Sequence, residues 1–569
     1  MNSIEQQLAE VLKSIGVSGE IQFSKPPKPE MGDFAFACFA LAKEQGKAPN
    51  LVASELVEEF RIQNSEFRII EKIEAFGPYV NFFLNGSEVA KIILDEAKDE
   101  TFGTHAIGKG KKYVIEFACP NPLKAFHLGH LKNLITGESV VRVFENAGYE
   151  VVRVNYQGDV GMHVAKALWG IFDWKDQFDT MRTASLHERV EFLGRAYAHG
   201  ATHYEKGEEA QAEVVVYNDN MYDRNNDEVI AYYEEARGWS LAYFDEIYAR
   251  LGSHFGKLYF ESQMFRRGIE IVNAGLETGI FVKSDGAIIF EGSKHGLHDR
   301  VFINSKGFPT YEAKELALAE AHFTDYNPDM VIHVVGKEQT QYFEVLFKAL
   351  EFILPESSGK EYHLIGGFLQ LKGDEKMSSR TGNIVTGDQL IEMVQHKIAE
   401  IMNESLRGKQ VDVEQVLEKV SIAALKYGML KADVSQDVSF DLQESVSVNG
   451  DSGPYLLYIV ARITSILRKS KREAPYIVPD QIAPAEKELS LHMFEFPEIT
   501  WSAVESYDPS KISKYLFDLA QSFNRFYALC PVLQEDAQLQ NFRLHLIASV
   551  SQVMTRGLYL LGIEIVEEM

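Results

Sequence analysis

Residues 112–156 constrain the fold more than any other stretch of the chain. "KYVIEF" (112–117) has the apolar, β-branched pattern of a buried strand. "LKNLITGESVVRVFENAGY" (131–149) keeps helical spacing over about five turns and ends near Gly148. "EVVRVNY" (150–156) is strand-like again. Strand, loop, helix and strand within about 45 residues form a βαβ unit, whose strands lie parallel with a right-handed crossover. The strand signal returns in "AIIFEG", "MVIHVVG" (330–336) and "YHLIGGFLQL" (362–371), with the helical "EAKELALAEAHF" between the first two.

At 569 residues the chain exceeds what one hydrophobic core holds, so about three or four domains are expected. Residues 1–105 read as a small α+β domain. It opens with an amphipathic helix carrying Ile4, Leu8, Val11, Leu12 and Ile15 on one face, then "GDFAFACFALAK" and the strand-like "EAFGPYVNFFL". Residues 106–395 carry the parallel sheet, interrupted at about 170–270 by a mostly helical stretch with no chemical motif, which reads as an insertion. Beyond 395 the strand signals stop. "VEQVLEKVSIAALKYGML" and "KYLFDLAQSFNRFYAL" predict an all-helical domain over 396–569.

With 46% hydrophobic and 25% charged residues the composition is that of a soluble globular protein. No apolar run approaches the roughly 20 residues that span a bilayer, so no membrane partner is expected. Cys38, Cys119 and Cys530 are far apart, which argues against a zinc site or disulfide framework and suits a reducing, cytoplasmic setting. The net charge of −26 opposes long-range attraction to phosphate, so any polyanion must dock on a local basic patch. "ARITSILRKSKREAP" (461–475), with Arg462, Arg468, Lys469, Lys471 and Arg472, is either that patch or a solvated helix end.

"PNPLKAFHLGHLKN" (120–133) places His127, Gly129 and His130 where the first helix of the βαβ unit begins. Zinc needs more than the two ligands offered, and the helical zinc signature spaces its histidines i, i+4. A helix cap does not need two imidazoles. A phosphate site fits better: the turn lies at the carboxyl end of a parallel strand, beside a helix N-terminus, and Gly129 has no Cβ to hold a ligand off. "KGDEKMSSRTGN" (372–383) is a glycine-flanked, basic, hydroxyl-rich loop that follows a late strand. It is either a polar surface loop or one that closes over a polyphosphate.

HxGH on the first βα turn and KMSxx after a late strand resemble the paired signatures of class I aminoacyl-tRNA synthetases. "IEFACPNPLKAFHLGHLKN", "VNYQGDVG" (154–161), "PTYEAKELALA" (309–319) and "VVGKEQTQYF" (334–343) are similar to the active-site blocks of the arginyl-tRNA synthetase family. "GPYLLYIVARITSILRK" (453–469) and the closing "LGIEIVEEM" resemble its anticodon-binding domain. The resemblance implies a Rossmann-type catalytic domain with an N-terminal tRNA-elbow domain and a helical anticodon-binding domain. It implies ATP-dependent activation of L-arginine, helped by bound tRNA, and transfer to tRNA(Arg). Mg²⁺ would accompany ATP with no protein-built metal site, and the chain would be a monomer.

By family position His127, His130, Lys124 and Lys376 act on the phosphates, with Gly129, Met377, Ser378, Ser379 and Arg380 completing the ATP site. Glu116, Asn121, Tyr311, Glu315 and Gln339 would bind arginine, whose planar guanidinium is best read by carboxylates and a hydrogen-bonding aromatic. Tyr455, Tyr458 and Arg462 are candidates for anticodon contacts, although the tyrosines suit helix core packing equally. Three positions depart from the family pattern. Glu315 stands for the commoner Asp and His163 for Gln, and Ser379 replaces the second lysine of KMSKS, a gap that Lys124 would fill. Another HxGH nucleotidyltransferase and a catalytically silent tRNA-binding paralogue are the alternatives.

Overall fold

The computed structural model describes residues 3–63, 67–373, 385–402, 411–473 and 475–569. Lys376, Met377, Ser378, Ser379 and Arg380 lie outside the described residues. Two compact units emerge. The larger comprises Gly103–Ala461, Glu498–Phe517 and Thr555–Met569, the smaller Met1–Phe102, Arg462–Pro497 and Asp518–Met554.

The larger unit is built on five strands: β1 (Lys112–Glu116), β2 (Glu150–Gln157), β3 (Lys257–Phe260), β4 (Met330–Gly336) and β5 (Glu361–Gly366). They lie in the order β3-β2-β1-β4-β5, and every pairing is parallel. The chain moves outward from β1 to β2 on one side and β4 lies on the other, so the order reverses between β1 and β4. An open α/β sheet binds ligands at that switch point, beyond the carboxyl ends of its strands. Helix α1 (Leu128–Asn146) joins β1 to β2 and is buried along almost its whole length, polar residues such as Lys132, Glu138 and Ser139 included, so its sequence shows little amphipathic contrast.

Between β2 and β3 come α2 (Met162–Asp173), α3 (Lys175–Met181), α4 (Leu186–Tyr204), α5 (Glu208–Asp223) and α6 (Asp227–Arg250). They enclose a core that includes Leu168, Phe178, Phe192, Tyr233 and Trp239. After β3 follow α7 (Glu261–Glu277), α8 (Tyr311–Tyr326) and α9 (Thr340–Ile353).

The sheet corrects the sequence reading in four places. The helical stretch at about 170–270 contains β3, an edge strand of the sheet, so the insertion is a long crossover rather than an appendage. "AIIFEG" does not join the parallel sheet. Asp285 and Gly286 both take positive φ in a two-residue hairpin, and Ala287–Phe290 therefore pairs antiparallel with Val282–Ser284 and Arg300–Ile303. "YHLIGGFLQL" divides at Gly367 into β5 and the short strand Leu369–Leu371. That strand pairs in parallel with Val438–Phe440, so a strand does occur beyond residue 395.

In the smaller unit four antiparallel strands run in the order Phe23–Ser24, Phe34–Ala37, Tyr79–Leu84, Ile70–Phe76. Helix Gly86–Glu96 packs on helix Pro484–Phe494. Among the C-terminal helices of this unit, Arg543 Nε donates to the buried Glu486 carboxylate at 2.6 Å.

Candidate active site

The turn between β1 and α1 is conformationally costly. Ala118, Cys119 and Leu123 all take positive φ (70°, 47° and 61°) without being glycine, at roughly 1–2 kcal/mol each. Neighbours hold them there. The Leu123 amide donates to Ser240 Oγ of α6 at 3.0 Å, and the Gly387 amide donates to the Phe126 carbonyl at 2.7 Å. Such local strain is characteristic of ligand sites.

The turn delivers His127 to the N-cap of α1. His127 Nδ1 accepts from the amides of Gly129 (3.1 Å) and His130 (3.4 Å), and His130 Nδ1 accepts from the His127 amide at 3.3 Å. The two imidazoles thus form a reciprocal capping box and stack with centroids 3.6 Å apart. Capping and chemistry are not rival explanations here. Because both Nδ1 atoms accept, each neutral ring carries its proton on Nε2 and keeps that N–H as a donor. Burial, with the Lys124 charge adding to it, lowers His127 to about 4. Burial also drives His130 well below its ordinary value, so both rings are neutral at pH 7. A Cβ on residue 129 would come within 3.0 Å of the His127 ring, so the glycine makes room for the imidazole itself.

The imidazole pair lines a cleft of about 1210 Å³ at the switch point, large enough for a nucleotide and an amino acid together. At its other end stand Glu116, Glu261, Glu315, Tyr156 and Tyr342. The hydroxyls of Tyr156 and Tyr342 are buried without a hydrogen-bond partner among the described residues. Glu261 is ion-paired with Lys314. Glu116 faces His333, whose Nδ1 is 3.3 Å from its Oε2. Burial pushes the Glu116 carboxyl up, and the His333 charge more than offsets this, holding it below the usual carboxylate value. Glu315 is driven well above the ordinary value by burial and by the neighbouring Glu116. This end of the cleft gathers three carboxylates, two of them buried and facing the cationic side chains of Lys314 and His333.

Asn121, Tyr311 and Gln339 also line the cleft. Asn121 Oδ1 lies so close to Gly158 that a Cβ there would come within 2.5 Å of it. Lys124 places its ammonium 5.2 Å from the Tyr197 ring of α4. His163 Nε2 lies 2.7 Å from the carbonyl of Gly158, a residue of the cleft lining. Tyr455 is 8% exposed and packs edge-on against Phe517 at 5.9 Å. Arg462 donates to Asn524 and lies over the Tyr527 ring.

Sequence reading missed Glu261, His333 and Lys132. Glu261 follows β3, the strand hidden in the insertion. His333 is the polar residue of "MVIHVVG", visible only as a break in an apolar run. Lys132, two residues after the second imidazole and 3% exposed, donates to the carbonyls of Gly367 (2.6 Å) and Gln436 (3.1 Å).

A parallel sheet with paired imidazoles capping its first helix, and a cleft at the switch point that joins them to buried carboxylates, is the arrangement of a class I aminoacyl-tRNA synthetase. Family comparison agrees: the family described as "tRNA synthetases class I (R), catalytic domain" matches residues 88–442, "Arginyl tRNA synthetase N terminal domain" residues 2–84, and "DALR anticodon binding domain" residues 456–569. The chain belongs to the arginyl-tRNA synthetase family. It is 33% identical over 551 residues to the arginine–tRNA ligase of Clostridium perfringens, covering 96% of this chain and 95% of that protein. It is also 33% identical over 566 residues to that of Treponema denticola, covering 97% and 95%. The arginyl-tRNA synthetase of Thermus thermophilus superposes with a TM-score of 0.79 at 26% identity, over 100% of this chain and 99% of that one. The methionyl-tRNA synthetase of Mycobacterium tuberculosis, at 13% identity and a TM-score of 0.50 over 80% of this chain, shares the fold.

Proposed function

We infer that the chain is an arginine–tRNA ligase: it activates L-arginine with ATP and transfers it to the 3′ end of tRNA(Arg). The observation that carries this is the single cleft that joins two neutral imidazole donors to a buried acidic pocket.

In the first step an arginine carboxylate oxygen attacks the α-phosphorus of ATP. The new O–P bond gives arginyl-adenylate, and pyrophosphate leaves with the electrons of the broken P–O bond. In the second, a hydroxyl of the terminal tRNA ribose attacks the arginyl carbonyl, loses its proton and releases AMP. No protein nucleophile is needed. Catalysis is positioning and charge stabilisation. The Nε2–H groups of His127 and His130 donate to the α-phosphate as charge builds on it, each worth about 3 kcal/mol. Lys124 supplies the neighbouring cation, and Lys376 and Arg380 act on the pyrophosphate side. Glu315 and Glu261 receive the guanidinium with Tyr311 and Gln339, while Glu116 and Asn121 take the α-amino group.

In this reading Mg²⁺ arrives with ATP, since phosphate-bound magnesium usually keeps several waters. Among the described residues no three side chains converge as metal ligands. Residues 1–105 meet the tRNA elbow, and 396–569, with Tyr458 and Arg462, meet the anticodon arm, whereas Tyr455 is buried against Phe517 and serves the packing of its helix. The chain works as a monomer in the cytoplasm. The three cysteines are free thiols, as suits a reducing compartment. Among the described residues no helix is long and apolar enough to cross a membrane.

The deciding experiment is arginine-dependent exchange of labelled pyrophosphate into ATP, with and without tRNA(Arg). Exchange that needs tRNA is the expected result. Absence of exchange in both arms, with tRNA still bound, would replace this reading by the silent paralogue.

A further inference from the structure

At the acidic end of the cleft, Glu116 belongs to a buried relay of three side chains from adjacent strands, and the other two, His333 and Glu361, have no role in the steps above. Glu116 closes β1, His333 stands beside it in register on β4, and Glu361 opens β5 on the far side. His333 Nε2 is hydrogen-bonded to Glu361 Oε2 at 2.9 Å, while its Nδ1 faces Glu116 Oε2 at 3.3 Å in an ion-pair contact outside hydrogen-bond geometry. All three side chains are at most 5% exposed. An imidazole between two carboxylates can satisfy both only with a proton on each nitrogen, as the imidazolium. A neutral ring would turn a lone pair toward one buried carboxylate, which is costly at low dielectric. The other titratable groups facing the ring are His322 and Glu315 of α8 and His363 of β5. Phe343 and Phe347 of α9 cover it, with centroids 5.0 and 5.8 Å away.

We propose that His333 is a positioning residue for amino-acid recognition: as an imidazolium anchored by Glu361, it fixes the Glu116 carboxylate at the cleft wall and keeps it charged for the incoming substrate cation. The inference rests on the reading that Glu116 belongs to the arginine pocket. Glu116 Oε1, approached by the Cys119 thiol at 3.6 Å, is then the oxygen presented to the substrate. Without the internal cation, Glu116 would relieve its repulsion from the neighbouring carboxylates by taking up a proton. A pocket neutralised in that way no longer selects a cationic amino acid.

Three variants, assayed by pyrophosphate exchange with tRNA present, test this. Glu116→Gln tests the underlying reading and raises the KM for arginine. His333→Gln, which keeps N–H donors but removes the positive charge between the two carboxylates, raises the arginine KM about ten-fold and leaves the ATP KM unchanged. Glu361→Gln keeps an acceptor on Nε2 but removes the charge that holds the second proton. It therefore raises the arginine KM about three-fold at pH 8.5 and less at pH 6.5, where acidity restores the imidazolium. This variant decides the matter if His333→Gln does not fold. An arginine KM unchanged in both relay variants while Glu116→Gln raises it overturns the inference alone. So does a parallel rise in both KM values in His333→Gln, which marks a purely structural role. An unchanged arginine KM in Glu116→Gln instead removes the pocket assignment, and the relay's function with it.

Discussion

His127 holds a helix end and a reacting phosphate with two nitrogens of one ring, and substitution can separate the two duties. Asparagine also accepts backbone hydrogen bonds at an N-cap but lacks a donor at the Nε2 position. His127→Asn therefore keeps its melting temperature within about 2 °C, while kcat for adenylate formation falls about 10²-fold. His127→Ala loses the cap too, and thermal melting reads a further loss of about 1 kcal/mol. Glu315 carries the opposite tension. Burial and Glu116 hold its pKa well above the ordinary 4.5, so the folded, arginine-free protein keeps a proton that the unfolded chain has lost. Between those two values the folded state binds more protons, and its stability falls as pH rises. Glu315→Gln removes that loss, so at pH 8 it melts at a higher temperature than the parent. It also weakens arginine binding by about 10²-fold or more, because a charged partner of the guanidinium is gone. In the parent the guanidinium displaces the proton, so arginine affinity rises with pH over the same window. Calorimetric titration in buffers of differing ionisation enthalpy registers the released proton.

At the scale of elements, helix α4 of the insertion reaches the chemistry through Tyr197, whose ring lies 5.2 Å from the Lys124 ammonium. A cation over an aromatic face is held without losing its charge. Tyr197→Leu is expected to lower kcat about three- to ten-fold with little change in arginine KM, and Tyr197→Phe to retain the parent rate. Exchange kinetics of the two variants side by side read the difference. This contact shows where a single sequence stops being legible. β1, α1, β2 and β4 were readable because each is a full-length run with its own period. β3 was not: "KLYF" is four residues at the end of a helical stretch, and pairing with β2 rather than propensity makes it a strand. The antiparallel hairpin did carry a signal, the Asp285–Gly286 pair. The relay at His333 depends on register between distant strands, which no local pattern encodes. The HLGH turn was legible as a phosphate site, yet its capping geometry emerged only when the two rings were seen to accept each other's amides.

Across the molecule, the larger unit is closed by its own C-terminal segment. The fully buried Lys426 donates to the carbonyls of Leu251 and Gly562, while Ser139 Oγ donates to the Leu560 carbonyl at 2.9 Å. Burial, with Arg142 nearby, lowers Lys426 to about 7 from 10.5. Between those values the unfolded chain binds the extra proton, so stability rises with pH and is lost as pH falls through 7. Lys426→Met flattens that dependence, by up to about 1 kcal/mol per pH unit, in urea titrations from pH 7 to 9. The position of β3 has a temporal consequence. About a hundred residues separate it from β2, the strand it pairs with, so that edge cannot close until the intervening helices have gathered. During synthesis β1, α1 and β2 leave the ribosome with an open edge, and they wait for the insertion to collapse around Phe178, Phe192 and Trp239. The segment without a motif of its own thus sets the pace at which the catalytic sheet is completed.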